Sequence, residues 1–233
     1  MSFGDIFYKT LVAGGSYLTV CKGLWVTVEI SLLSILLGTV IGALICAARM
    51  QKNTLVQGIA KIYIAVLRGS PVLLLLMLMY YVVFASSSLP APLIAVSAFS
   101  LNVSAHAAEC FRAALSAADP MQTEAARTLG FSRWQAFRLI SLPQAAKIAK
   151  PTYQSTLVNL IQWTSVVGYV TITDLTRVIN NIGSRTMQPL FMIVVGMLLY
   201  LALAYLCYGV FALTDRISHK RAERRRKGCV SFR

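Results

Sequence analysis

Residues 124–143 read EAARTLGFSRWQAFRLISLP, a polar, basic stretch set between strongly apolar runs. Its punctuation predicts two helices. Just upstream, Asp119-Pro120 supplies an N-cap and a first-turn proline, and Gln122 stands where a capping-box partner belongs. The first helix runs through Glu124-Ala125-Ala126 and stops at Gly130, the residue best suited to a left-handed C-terminal cap. Ser132, with Gln135 three residues on, caps a second, short helix. That helix is expected to end before Pro143, because proline disfavours helical geometry in the residue preceding it. The stretch reads as helix, glycine turn, helix: either an ordinary hairpin between two neighbours or a structured docking surface.

The flanks decide where this insert lies. The 233-residue chain is 57% hydrophobic and only 13% charged, against roughly 45–50% and about 25% for a soluble domain. The excess is gathered into runs at 24–48, 71–85, 91–108 and 189–213, and into a weaker one at 152–173 dotted with Gln154, Asn159, Gln162, Thr164 and Ser165. A span takes about 20 apolar residues. The first and last long runs cross unaided; 71–85 needs help from residues 62–70 or a thinner path. The fold class is thus all-α integral membrane, with about five transmembrane helices in one domain, 1–233.

Charge sets the orientation. Eighteen of the 22 Lys and Arg fall in 49–70, 112–150 and the tail from 215. Five spans put all three segments on one side, where the excess of Lys and Arg marks the cytoplasm; four spans would divide them. The N-terminus is then expected outside and the C-terminus inside, with 112–150 a cytoplasmic loop. The net charge of +14 owes much to the basic tail, 215–233. That tail reads as a juxtamembrane segment on anionic lipid rather than a nucleic-acid site. The first twenty residues lack the basic start and short apolar core of a cleaved signal, so the first span is expected to persist. Five scattered cysteines, none in a C-x-x-C pair, make neither a zinc site nor a disulfide framework.

At this point the residues resemble a known family. Glu124-Ala125-Ala126, three residues, Gly130, nine residues, then Ile140-Ser141-Leu142-Pro143 is similar to the EAA loop of bacterial ABC importer permeases. Arg68-Gly69-Ser70-Pro71, Ser100-Leu101 with Ala108-Glu109 and Arg112, Thr164-Ser165, and Asp174-Leu175-Thr176-Arg177 resemble elements of the members that carry polar amino acids. The similarity runs over roughly 20–213. His106 stands where the family commonly has Tyr, Met121 where Gly is usual, and Gln162 where many members have Lys.

The resemblance implies a type I ABC importer permease of the bacterial inner membrane. Its coupling residues would be Glu124, Ala125, Ala126, Gly130, Ile140, Leu142 and Pro143, docking on an ABC ATPase subunit present in two copies. It also implies a second permease chain, identical or homologous, and a periplasmic substrate-binding protein. The residues agree on one point: no Gly-Lys dipeptide occurs anywhere, so a P-loop is absent, and no cofactor is expected on this chain because ATP would bind the partner.

Further candidates come from polar groups inside spans. Asn159, Gln162, Thr164 and Ser165 are costly to face toward lipid, so they line a pathway or bond between helices. Glu29 either attracts a cationic substrate group or pairs with another chain. Glu109 has Arg112 three residues on, a spacing that favours a structural ion pair. His106 reads as a packed helix residue, with a pathway role as the alternative. Gly38 and Gly42 form a G-x-x-x-G face that suits packing within the chain or dimerisation. No nucleophile–base constellation supports an enzyme. A self-sufficient ion-coupled transporter or channel is the competing class, but neither a duplicated half nor an even span count speaks for it.

Overall fold

The computed structural model describes residues 6–12 and 15–230, and among them every regular element is helical. After a π-helical segment, Tyr8–Val12, come α1 (Ser16–Arg49), α2 (Thr54–Gly69), α3 (Val72–Leu78) and α4 (Ala91–Ala117). The insert follows as α5 (Pro120–Thr128) and α6 (Arg133–Ala136), then α7 (Leu142–Trp163), α8 (Leu175–Thr186) and α9 (Pro189–Val230). Helices suit this sequence because they satisfy every backbone polar group within the segment, as a bilayer requires.

Among the described residues, three helices are long and apolar enough to cross a membrane: Ser16–Arg49, Ala91–Ala117 and Pro189–Thr214. A fourth crossing arises only if Thr54–Gly69 and Val72–Val83, bent by 107°, count together. The run 71–85 therefore does not extend back into 62–70 as a straight rod. Pro71 has no N–H to give the carbonyl of Leu67, and the chain turns there. The Asn102 amide of α4 donates to that carbonyl instead (3.0 Å). The run 152–173 is not one helix either: α7 ends at Trp163 and a 3₁₀ segment, Thr164–Val170, follows.

The core lies where α1 crosses α4. Ile30, Leu75, Leu76, Phe99 and Val103 are buried together, and α1 contributes a seam of small residues, Gly23, Ser31, Ser34, Gly38 and Gly42. A Cβ on Gly38 would stand 2.8 Å from the Val103 side chain and 2.9 Å from the Ser100 carbonyl oxygen; one on Gly42 would meet the Ala107 Cβ at 2.8 Å. The G-x-x-x-G face thus packs within the chain. Gly23 plays the same part against α8, where its Cβ would lie 3.0 Å from the Asp174 carbonyl oxygen.

Candidate functional site

The insert is built largely as its sequence reads. The Asp119 carboxylate accepts from the Met121 N–H (2.9 Å). At the far end of α5, Gly130 has φ +90°. The Phe131 N–H reaches the Ala126 carbonyl (3.2 Å) and the Gly130 N–H that of Arg127 (3.1 Å), a Schellman arrangement that needs the left-handed residue. Ser132 and Gln135 complete their capping box, with bonds of 2.8 and 3.2 Å. Ala126 and Ala136 are buried, while Glu124 and Ala125 are exposed.

Two features differ from the sequence reading. Gln122 does not close a capping box on Asp119. Gln144, the residue after Pro143, accepts from the Asp119 N–H (3.2 Å) and donates to Gln122 (2.6 Å). Nor does the second helix end before Pro143. A π-helical turn, Phe137–Ser141, leads straight into α7, with the Leu142 N–H bonded to the Phe137 carbonyl five residues back. The widened turn shifts the hydrogen-bond register where the proline ring would otherwise strike the preceding turn. Ile140, Leu142 and Pro143 therefore sit at a continuous junction, and the helical path from the insert runs on to Trp163.

Along α7, Thr152, Ser155, Asn159 and Gln162 recur at intervals of three and four, and all are exposed. They form one polar face directed away from the packed side, where Thr156 and Leu160 are buried. Ser165 is partly buried. Thr164 is apart from that face: it is fully buried and its hydroxyl donates to the Ile161 carbonyl (2.7 Å). Glu29 is exposed on α1, across the helix from buried Thr27, Ser31 and Ser34, with Trp25, Leu32 and Leu36 exposed around it. Arg112 Nε donates to both Glu109 oxygens (3.1 Å each), the ion pair the spacing predicts. His106 packs against the Trp163 ring at 5.4 Å.

Sequence reasoning missed a polar knot at the start of α8. Asp174, fully buried, accepts from the Thr176 and Arg177 N–H groups (3.0 Å each). Tyr200 of α9 bonds Thr176 (2.8 Å) and reaches Asp174 (3.4 Å), and the Leu175 N–H donates to Thr27 of α1 (3.2 Å). Burial pushes the Asp174 carboxyl above the usual Asp range, against the pull of its N–H partners. The Asp-x-Thr-Arg order carries a capping signal that could have found Asp174; Tyr200 and Thr27 lie too far off in sequence to announce themselves. The side chains of the basic tail, 215–233, lie outside the described residues.

The insert on its continuous helix, the polar α7 face and the apolar bundle invite comparison with known proteins. The Binding-protein-dependent transport system inner membrane component family matches residues 34–219. The chain belongs to this family. The permease is 37% identical over 203 residues to the probable amino-acid ABC transporter permease protein YckA of Bacillus subtilis strain 168, across 85% of this chain and 88% of the relative. It is 26% identical over 208 residues to the histidine/lysine/arginine/ornithine transport system permease protein HisM of Escherichia coli K12, across 83% and 86%. A crystal structure of an amino acid ABC transporter with histidines superposes with a TM-score of 0.80 at 28% identity, covering 93% of the permease and 98% of that chain. The fold is that of a type I ABC importer permease, a membrane-embedded transporter subunit.

Proposed function

We propose that this permease is one translocating half of an ATP-driven importer for a polar amino acid, worked from the cytoplasm by a separate ATPase. The observation that carries the reading is the insert's surface. Met121 (74%), Leu129 (79%) and Trp134 (66%) are exposed large apolar residues in a stretch too polar to lie in lipid, and an exposed apolar patch rimmed by polar groups marks a protein contact. Two ATPase copies, a second permease chain and a periplasmic binding protein complete the assembly. The coupling set is Glu124, Ala125, Ala126 and Gly130 on α5, with Ile140, Leu142 and Pro143 at the junction to α7.

In the same reading the N-terminus lies outside and the C-terminus inside, α7 crosses as the remaining span of five, and the chain resides in the bacterial inner membrane. The clustering of 18 of the 22 Lys and Arg in three segments supports this sidedness. Asn159 and Gln162, with Ser165 beside them, line the pathway: a polar face directed away from the bundle is costly against lipid and serves a passage or the partner permease. Glu29, equally outward, faces a partner chain or a cationic substrate group. Relatives named for amino-acid transport, HisM among them, support the substrate class.

The test is to isolate the tagged permease in mild detergent and identify what accompanies it, then to measure uptake of labelled polar amino acids by vesicles with and without ATP. A co-purifying P-loop ATPase, lost with Leu129→Asp, and strictly ATP-dependent uptake are expected. A permease that comes alone and moves solute without ATP would instead make it an ion-coupled transporter or channel.

A further inference from the structure

The coupling reading leaves open how force on α5 reaches the polar face of α7. The backbone path from α5 passes through the turn at Gly130, whose added Cβ would meet nothing within 4 Å. A tight turn in open space is a poor transmitter by itself. The side chains supply a second path. Gln144, in the first turn of α7, holds both ends of the first turn of α5: its carbonyl oxygen takes the Asp119 N–H (3.2 Å) and its amide donates to Gln122 (2.6 Å). One residue further along α5, the Thr123 and Ser141 hydroxyls meet at 2.9 Å. The bond to Asp119 N–H is the one a capping-box partner would make from within the helix; here it comes from another helix.

We infer that Gln144 is a positioning residue that fastens the docking helix α5 to the head of α7, so that displacement of the insert is delivered to Asn159 and Gln162. The inference rests on the proposed docking of the insert on an ATPase. From Gln144 to Gln162 the helix rises ~27 Å, from outside the apolar layer to well within it. The fastening lets α5 and α7 move as one body. Without it, α5 pivots at Gly130 and the energy of nucleotide binding turns the insert without moving the pathway. Gln144 touches neither ATPase nor solute in this scheme.

The experiment uses the whole importer, co-expressed with its ATPase and binding protein and reconstituted in proteoliposomes, with a labelled mixture of polar amino acids as probe. The readout is solute moved per ATP hydrolysed, which separates coupling from assembly. Gln144→Leu is expected to keep the ATPase bound and hydrolysing while that ratio falls about fivefold or more. Gln144→Glu is expected to hold the wild-type ratio, because a carboxylate still accepts from Asp119 N–H and from the Gln122 amide turned about. An unchanged ratio in Gln144→Leu, or an equal fall in Gln144→Glu, overturns the inference. Should Gln144→Leu not reach the membrane, Gln144→Met, which keeps the side chain's length and removes both bonds, replaces it: a lowered ratio supports the fastening and an unchanged one overturns it. Gly130→Trp runs alongside. If it uncouples and Gln144→Leu does not, the fastening alone fails; if neither does, the docking reading itself fails.

Discussion

Along the α1–α4 seam the permease hides its small residues and turns Leu32, Leu36 and Val40 outward, where a bilayer covers them. Across the insert it does the same, burying Ala126 and Ala136 and exposing Met121, Leu129 and Trp134, in a segment we propose lies in the cytoplasm. The same inversion of a soluble interior therefore has two meanings. In the spans it is what lipid asks for, since tails are as apolar as Leu and close packing of small residues supplies the helix–helix attraction. In the insert, on the proposed cytoplasmic placement, it asks for a protein. Glycine divides in the same way: Gly42 is needed for the space it leaves, Gly130 for the φ of +90° it alone takes without strain.

Substitutions can break that contrast. The largest effect is expected from Gly42→Leu, which drives a side chain into Ala107 and the Ser104 carbonyl. A loss of roughly 3 kcal/mol, at the upper end for overpacking, would appear as a collapsed melting temperature and low membrane levels. Gly130→Trp, in open space, should cost only about 1–2 kcal/mol for a left-handed residue with a side chain and leave membrane levels normal. Under the proposed coupling, uptake should nevertheless fail, because α5 is misdirected. A Gly130→Trp permease that reaches the membrane and still transports would remove the insert from coupling.

A smaller effect sharpens the comparison at Asp174. Burial raises its carboxyl, so the folded chain favours the protonated form. That contribution is full below the ordinary Asp value of about 3.9 and is lost as pH rises through the raised folded value. In thermal melts the stability of the wild type relative to Asp174→Asn should fall as pH rises across that window; parallel curves would contradict the assignment. The smallest change is Gly58→Ala. Its Cβ meets nothing within 4 Å, so the helix gains up to about 1 kcal/mol, seen as a slightly higher melting temperature with unchanged uptake.

What was legible in the sequence followed from local rules. Asp119, Gly130 and the Ser132–Gln135 pair act within one turn of themselves, and the structure builds them as read. The ion pair of Glu109 with Arg112 is also a matter of spacing. The misreadings came from non-local contests. Gln122 lost its expected role to Gln144, which only tertiary packing brings near. Pro143 reads as a stop because its clash is usual, yet one π turn relieves it. The 107° bend at Pro71 was invisible for the same reason: Asn102, far along the chain, satisfies the carbonyl that would otherwise make it costly.

The unbroken helix of α7 has a consequence of phase. An α-helix turns by about 100° per residue, so residues 18 apart complete five whole turns and share one bearing. Gln144 and Gln162 stand at that interval, with Ser155 close to the same azimuth. On the proposed coupling, the angle between the grip on the insert and the face assigned to the solute is stored as a residue count. Adding or deleting a single residue between them would keep each surface whole and swing one past the other by about a quarter turn.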